Sequence, residues 1–527
     1  MLPLLSLIIF VPLAAAILVL FLPNDKWIKT GSIILSLVPL ALSIWLWVAY
    51  AAYPGITFGG CGSDAVGQAI TNGSKPFFVG ECYPWIQGLG VNFHLGVDGI
   101  SVPLIFLTTL LTTVSLYYSA RVINHRVREF FFLFLLLETG MLGVFASLDF
   151  FLFYIFWEVG LVPMYFLIGI WGHDEDRPQY SAIKFFLYTL AGSVFMLLAI
   201  IAIYLNSTPQ TFDMTVAMSN HPFAANFGAA ALAFVGFFLA FSIKVPLWPF
   251  HTWLPDAHTA APTAGSVILA GILLKLGTYG YIRFLLSMFP DVFRAAAPII
   301  GTLAVISIVY GALVAMAQTD FKRLIAYSSV NHMGYVVLGI AAAAALPIKG
   351  ATDPSLLNSA AVAVNGAVLE MLAHGLITGA LFFLVGMLYE RTHTRDLKAF
   401  GGLGAKVPVY GALLLLAAFA SLGLPGLAGF VAEFLVLRGA FAFLPWLTFI
   451  ALFGVVITAA YFLWKVIQGV LLGTLKQTWV NLPDLHGYEI ITLAPLLILT
   501  VIVGLYPQWL IDTINSASTA ILKMIGS

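Results

Sequence analysis

Several ionisable side chains stand inside stretches of the sequence that are otherwise apolar. Residues 150–169 read FFLFYIFWEVGLVPMYFLIG, in which Glu158 is the only charge. A charge at the centre of a bilayer costs about 2.5–3.5 kcal/mol on insertion scales, so it is tolerated where it meets a partner or water, and it commonly marks a path for protons or ions. The central candidates carry both signs and are spread over many helices: Glu138, Glu158, Lys244, Lys275, Glu370, His374 and Glu433, with His332 expected near a helix end. Structural salt bridges are the alternative, and they account for one pair more easily than for the whole set.

Breaks in the backbone are predicted beside two of these residues. The stretch SIKVPLWPF (242–250) contains two prolines just after Lys244, and SLGLPGLAGFVAEF (421–434) contains Pro425 among three glycines, shortly before Glu433. Proline removes a helical donor, and irregular backbone at membrane depth survives only where it meets protein or a wet cavity. Ordinary proline kinks are the alternative. Interrupted segments in corresponding positions of two halves are typical of transporters with an internal repeat.

Three further features are consistent with proton movement or with capping. Glu370 and His374 in LEMLAHG are four residues apart and share one helix face, where they could exchange a proton. His251 and His258 in FHTWLPDAH are expected at a connection, either as surface-loop histidines or as the inner mouth of a relay. Asp98 in GVDGIS is expected to cap the third span as an N-terminal carboxylate.

The composition requires that these residues be positioned by membrane helices. Of the 527 residues, 61% are hydrophobic and only 9% are charged, whereas soluble domains carry about 25% charged residues. The net charge of zero argues against a nucleic-acid partner. No histidines and cysteines stand at metal-ligand spacing, so no iron–sulfur, haem or zinc site is expected. The N-terminal segment lacks a basic n-region and is expected to be a retained first helix.

Fourteen apolar stretches are long enough to span a bilayer. Their centres lie near residues 12, 41, 108, 138, 160, 194, 237, 272, 306, 336, 374, 422, 458 and 501. No long polar linker divides them, so residues 1–527 are predicted to form a single all-α integral membrane domain. An even number of spans puts both termini on the same side of the membrane.

The distribution of positive charge predicts which side that is. One consistent alternation of loops places 15 of the 23 Lys and Arg on one face, 6 on the other, among them Arg283, and 2 inside spans. The positive-inside rule then puts both termini outside. The long loop 53–97 falls on the outer face and contains both cysteines, Cys61 and Cys82, which could pair or stay as unpaired thiols.

The motifs themselves resemble the antiporter-like membrane subunits of complex I, the proton-pumping NADH:quinone oxidoreductase of respiratory chains. The resemblance covers nearly the whole chain. It is carried by GVDGIS, FWEVGLVPMYFLIGIWG, KVPLWPFHTWLPDAH, ILLKLGTYG, KRLIAYSSVNHMGY, LAHGLITGALFFLVG and GLPGLAGFVAEF. It implies two inverted five-helix repeats with interrupted helices 7 and 12, over residues 129–287 and 296–474, each a proton half-channel.

Within that family the chain is most similar to the subunit-4, or chain M, type. The other two antiporter-like subunits place a lysine on the twelfth span, whereas this type places a glutamate, and Glu433 occupies that position. The chain also ends soon after span fourteen, without the long lateral helix that the subunit-5 type appends.

The resemblance also implies roles for individual residues. Glu158 would modulate the charge of Lys244, and Lys275 would carry protons along the central axis. His332 and His374 would continue that line to Glu433, which would lead outward. Glu138 and Glu370 match no defined family position, and each is either a further relay residue or an acid tucked against a neighbouring helix.

The implied function is proton translocation driven by quinone reduction in partner subunits. NADH or another donor, FMN, iron–sulfur clusters and quinone would be bound by those partners, because nothing in this chain resembles a site for them. Two related antiporter-like subunits are expected among the partners. The alternatives are a subunit of a multi-subunit Na+/H+ antiporter, which shares the fold and many of the motifs, and a membrane scaffold that transports nothing.

Overall fold

The computed structural model describes residues 3–52, 79–220, 222–223, 226–347 and 353–526. Helices make up most of this part of the chain. In chain order they are α1 (Leu4–Val19), α2 (Asp25–Ala52), α3 (Ser101–Val122), α4 (Val127–Ala146), α5 (Phe150–Val159), α6 (Leu161–Trp171), α7 (Pro178–Asn206), α8 (Met214–Asn220), α9 (Phe227–Lys244), α10 (Trp253–Ala260), α11 (Thr263–Leu286), α12 (Pro290–Ala317), α13 (Phe321–Ala344), α14 (Pro354–Thr392), α15 (Leu403–Lys406), α16 (Pro408–Ser421), α17 (Ala428–Phe441), α18 (Pro445–Leu471), α19 (Gly487–Leu505) and α20 (Gln508–Gly526).

The predicted spans are confirmed by these helices. In the described residues, twelve helical segments are long and apolar enough to cross a membrane, and α1 and α16 are two shorter apolar helices. Twelve of the predicted centres fall within a helix, the centre near residue 160 falls between α5 and α6, and the centre near residue 422 falls at the junction between α16 and α17. The α5–α6 pair forms one span, Phe150–Trp171, that bends at Gly160.

Three helices are enclosed along nearly their whole apolar length, namely α11, α13 and α14. Helix α14 packs against α13, α17, α19 and α20, and α11 packs between α14 and the first half of the chain. By contrast, α2 and α18 expose large apolar side chains such as Trp45 and Val456. Apolar side chains on outward faces are what a lipid environment requires, so the enclosed helices are where polar groups can be placed.

Both predicted interruptions are present. Helix α9 ends at Lys244 and the chain becomes helical again at Trp253, while α16 ends at Ser421 and α17 starts at Ala428. The freed carbonyl of Ile243 accepts a hydrogen bond from the Trp253 indole, 2.9 Å away. A side-chain donor therefore satisfies a backbone group that the broken helix leaves open.

A two-stranded hairpin departs from the all-helical expectation. Strands β1 (Val79–Ile86) and β2 (Val91–Val97) pair antiparallel within the predicted outer loop. The hairpin is fixed to the helices by two carboxylates, since Asn92 N–H donates to Asp149 Oδ2 at 3.0 Å and His94 Nδ1 lies 2.8 Å from Asp213 Oδ2. Burial raises the pKa of Asp149 to about 6.

The cysteine prediction concerns a residue on this hairpin. Cys82 lies on β1, opposite His94, and it is disulfide-bonded. Its predicted partner, Cys61, lies outside the described residues.

A buried ion pair anchors the start of α3. Asp98 Oδ1 accepts from the backbone N–H groups of Ile100 and Ser101, each at 3.0 Å, as the predicted cap requires. Its second oxygen lies 2.7 Å from Arg283 Nη2, and both side chains are only 3% exposed. Arg283, counted with the positive charges of the outer face, lies within the last part of α11 and not in a loop, because its carboxylate partner allows it to be buried there.

Candidate functional site

Lys275 and His374 form a direct contact at the centre of the enclosed helices. Lys275 Nζ lies 2.6 Å from His374 Nδ1 and donates to the Ala270 carbonyl at 2.5 Å. Both side chains are buried. The Ala270 carbonyl belongs to a π-helical segment of α11, Leu269–Leu273, and such segments often occur at functional sites.

His332, Glu370 and Glu433 form a second buried group, contributed by α13, α14 and α17. His332 Nδ1 lies 3.0 Å from Glu433 Oε1 and 3.4 Å from Glu370 Oε1. Its other ring nitrogen, Nε2, lies 3.3 Å from Ser421 Oγ at the end of α16. His332 stands in the middle of α13, so the expected position near a helix end is wrong.

The two groups are neighbours. The rings of His332 and His374 have centroids 5.7 Å apart. Glu370 and His374 share a face of α14, as their four-residue spacing predicts. Lys275, His374, His332 and the two glutamates therefore form one line, which runs from α11 to the second interrupted helix.

Lys244 occupies the first interruption and is also buried. Its ammonium lies 5.1 Å from the Trp157 ring centroid and 5.9 Å from that of Phe185, and such cation–π contacts stabilise a buried ammonium by about 2 kcal/mol when desolvated. Glu158 is half-buried and near enough to attract this charge. Among the described ion pairs there is none that joins Glu158 directly to Lys244.

Helix α9 approaches α11 closely at Lys244. A Cβ on Gly277 would lie 3.1 Å from Lys244 Cβ and 2.8 Å from the Phe241 carbonyl oxygen. Only glycine fits between these backbones without displacement. Because Gly277 is two residues from Lys275, the contact brings the two lysine-bearing segments together.

Three further candidates, Glu138, His251 and His258, are also buried, and each has different neighbours. Glu138 is 0% exposed, and neither of its oxygens has a hydrogen-bond partner among the described residues. His258 is also 0% exposed and stacks on Phe382 at a centroid distance of 4.6 Å. His251 packs 5.1 Å from the Tyr310 ring and is 4% exposed. The surface-loop alternative for the two histidines is therefore wrong.

A buried cation at the end of α10 was not predicted as part of the site. Lys322 lies in the first turn of α13 and is only 3% exposed. Its Nζ donates to the carbonyls of Ala261 at 2.5 Å and Thr259 at 3.3 Å, where α10 ends. Cations are favoured at helix C-termini, so the short helix itself supplies the stabilisation that an exposed lysine would obtain from water.

Neighbouring ion pairs tie the loops of the two halves together at this end. Arg395 donates to Asp176 at 2.6 Å and to the Thr259 carbonyl at 2.9 Å, and it lies 3.2 Å from Asp320. Burial, together with the charges of Lys322 and Arg395, lowers the pKa of His173 to about 3. His173 is consequently neutral at physiological pH.

The three-residue group around His332 also has the composition of a metal site. One ligand atom each from His332, Glu370 and Glu433 lies within 4.8 Å of the other two. The expectation of no metal site rested on spacing along the chain. That criterion misses a set whose members come from three different helices.

Comparison with known proteins identifies the family. A family model described as NADH:quinone oxidoreductase/Mrp antiporter, TM, matches residues 147–353 and 354–458. NADH-quinone oxidoreductase subunit M of Rhodobacter capsulatus is 41% identical, over 97% of this chain and 95% of the relative. Subunit M of Pseudomonas aeruginosa is 40% identical, over 95% and 93% of the two chains. Chain 4 of the NADH-ubiquinone oxidoreductase of Marchantia polymorpha is 36% identical, over 98% and 97%.

Solved structures share the fold. A chain of respiratory complex I from Thermus thermophilus with bound NADH superposes with a TM-score of 0.84 at 29% identity, covering 99% of this chain and all of that one. A chain of the Mrp complex from Dietzia superposes at 0.79 with 24% identity, over 98% of this chain and 52% of that one, and shows the fold alone. The chain therefore belongs to the NADH:quinone oxidoreductase/Mrp antiporter family of membrane proteins and, within it, to the subunit M type.

Proposed function

We propose that this chain is a proton-translocating membrane subunit of an NADH:quinone oxidoreductase. The observation that carries the proposal is the line of buried groups from Lys275 through His374 and His332 to Glu433, with Glu370 beside it. A pair of structural salt bridges would not need two histidines between a lysine and two glutamates. Imidazole can take up a proton at one ring nitrogen and release it from the other.

Proton movement begins, in this proposal, with Glu158 and Lys244. The Glu158 carboxylate stabilises the buried Lys244 ammonium without contacting it. Moving that carboxylate, or bringing another charge near, leaves the ammonium disfavoured in its apolar surroundings, and the lysine releases its proton. Buried lysines change protonation state readily for this reason.

The contacts of Lys275 and His374 suggest how the proton continues. In this relay a charged Lys275 donates to His374 Nδ1, 2.6 Å away, which requires the neutral imidazole to carry its hydrogen on Nε2. A proton that passes from Lys275 to Nδ1 can leave from Nε2. The next ring is that of His332, whose Nδ1 lies between two carboxylates that can receive it.

The energy for this movement comes from partner subunits. The relay residues are all amine, imidazole or carboxylate groups, which exchange protons and not electrons. We assign NADH or another donor, FMN, iron–sulfur clusters and quinone to those partners. The partners include two related antiporter-like subunits, and residues 129–287 and 296–474 of this chain supply one half-channel each.

The orientation follows from charge. The excess of Lys and Arg on one set of loops supports an inner location for the loop just before Arg323 and the loop that contains Arg395, and an outer location for both termini. Proton release near Glu433 is then directed outward.

Substitution of Lys244 by methionine tests the function. The change keeps the volume and removes the charge, so Lys244→Met should assemble normally and abolish proton pumping. Pumping and quinone reduction would be followed together in inverted membrane vesicles, with native gels to quantify the assembled complex. Lys26→Met, at an exposed lysine, is the matched control. A normal ratio of protons to electrons in Lys244→Met would contradict the assignment.

An Mrp-type Na+/H+ antiporter subunit is the second candidate, because the matching family model covers both classes. Glu433 argues against it, since the similar antiporter subunits resemble the lysine type. Proton uptake that depends on NADH and is independent of Na+ would exclude the antiporter. If Lys244→Met and Lys275→Met changed only the amount of assembled complex, the chain would be a scaffold.

A further inference from the structure

We propose that His332, Glu370 and Glu433 form a binding site for a divalent cation of zinc-like chemistry, and that the bound ion blocks the relay. The binding site is argued from geometry alone. The block of proton transfer by the bound ion rests on the proposed function, so the two parts are tested separately.

The spacing of the three side chains is close to that of a tetrahedral zinc site. Zinc–nitrogen and zinc–oxygen bonds of about 2.0–2.2 Å place neighbouring ligand atoms about 3.3–3.5 Å apart. His332 Nδ1 lies 3.0 Å from Glu433 Oε1 and 3.4 Å from Glu370 Oε1. The two carboxylate oxygens lie within 4.8 Å of each other, so closing the site requires a small side-chain movement and no change of backbone.

The orientation of His332 favours a cation between the three groups. In the tautomer that donates Nε2–H to Ser421 Oγ, 3.3 Å away, the ring presents its Nδ1 lone pair to both carboxylates. A lone pair facing two anions is unfavourable unless a proton or a metal ion lies between them. A hydrogen bond to the second nitrogen is also how proteins orient metal-binding histidines.

One carboxylate retains unused binding capacity. Glu370 Oε2 has no hydrogen-bond partner among the described residues, and its side chain is 2% exposed. When both buried carboxylates are ionised, they leave one net negative charge in this group even if the imidazole is protonated. A buried charge of this kind requires compensation, and a divalent cation supplies it.

The donor set favours zinc over the common hard cations. Ca2+ takes six to eight oxygen ligands and Mg2+ requires near-octahedral geometry, whereas this site offers one nitrogen and two carboxylates. The fourth coordination position of a bound zinc ion would be left for water. The site is not sealed, because 8% of the Glu433 side chain and 6% of that of His332 remain accessible.

A metal ion in this position would stop proton transfer. It would occupy His332 Nδ1 and one oxygen of each glutamate, which are the acceptors that follow His374 in the proposed relay. A proton that leaves His374 would then find none of these acceptor atoms free.

Zinc retention by the intact, purified complex tests the binding site. The complex would be equilibrated with ZnCl2, freed of unbound ion, and analysed for zinc per complex by mass spectrometry. The wild type is expected to retain one more zinc than Glu370→Gln or His332→Gln. Glu138→Gln, which neutralises a buried carboxylate elsewhere, is the binding control and should retain as much as the wild type. Equal retention in the wild type, Glu370→Gln and His332→Gln would overturn the site.

Zinc inhibition tests the block. Loss of a ligand should raise the zinc concentration needed to inhibit residual pumping in Glu370→Gln at least about tenfold. An unchanged inhibitory concentration would overturn the block. If Lys244→Met pumps normally while the zinc difference persists, the proposed function fails and the metal site remains. If Lys244→Met abolishes pumping and no zinc difference is found, only the metal site fails.

Discussion

Among single residues, Glu158 and Lys244 influence each other without direct contact. The Lys244 ammonium lies near the rings of Trp157 and Phe185. The Glu158 carboxylate is too far away to form a hydrogen bond with it. Coulomb interactions fall only as the inverse of distance and are weakly screened in an apolar interior. A carboxylate at this separation can therefore change the state of the lysine by a modest movement.

Glu158→Gln tests this interaction. The amide keeps the shape and removes the charge, so we expect the complex to assemble while quinone reduction and proton pumping fall together. Both rates would be measured in membrane vesicles, with a blot for assembly. Glu129→Gln, at an exposed glutamate, is the control. If both rates stay normal in Glu158→Gln, the carboxylate is structural and the relay loses its first step.

The sequence predicted most of the site but not how its members meet. Lys244, Lys275, His374 and Glu433 could be recognised because a charge in an apolar stretch is costly. The contact between Lys275 and His374 joins residues 99 positions apart, and no local pattern records it. Lys322 was missed because it follows a loop in sequence, although its position at the end of α10 buries it.

At the level of secondary-structure elements, the interrupted helices were the most predictable feature. Proline removes a backbone donor wherever it stands in a helix, so the breaks after Lys244 and Ser421 follow from local chemistry. The hairpin and the π segments of α11 were not predicted. The hairpin depends in part on a partner far along the chain, because Asn92 N–H donates to Asp149.

The ion pair between Asp98 and Arg283 is expected to hold the start of α3 against the end of α11. Arg283→Met leaves the buried carboxylate unpaired and should cost about 3–5 kcal/mol. Adding Asp98→Asn removes the unpaired charge and keeps an oxygen for the caps on Ile100 and Ser101. The double variant should therefore recover most of the loss. The thermal stability of the assembled complex, followed on native gels, measures both the loss in Arg283→Met and the recovery in the double variant.

A double variant no more stable than Arg283→Met would show that the charge pair is not the source of the stability. Arg126→Met, which removes an exposed ion pair with Glu129, is the control. Exposed pairs contribute about 0–1 kcal/mol, so this variant should change the stability little.

In the molecule as a whole, buried polar groups are concentrated in α11, α13 and α14, which lipid does not reach. The apolar helices around them shield a line of ionisable groups that runs from α11 to the second interrupted helix. The ion pairs of Arg395 and the hydrogen bonds of Lys322 lie at one end of this arrangement, and the hairpin lies at the predicted outer face. The direction of proton flow then depends on which end of the molecule lies at the inner face of the membrane.

The orientation can be measured with single cysteines at exposed lysines. Lys26 lies between α1 and α2, and Lys523 lies on α20 near the C-terminus; both are exposed. Because positive loops stay inside, Lys26→Cys should react with a membrane-impermeant maleimide only in inverted vesicles, and Lys523→Cys only in spheroplasts. Cys82 is already disulfide-bonded, so the native background should be low and can be subtracted from the unmodified chain. The opposite labelling pattern would reverse the orientation, and Glu433 would then lead protons inward, against the direction that an energy-conserving pump requires.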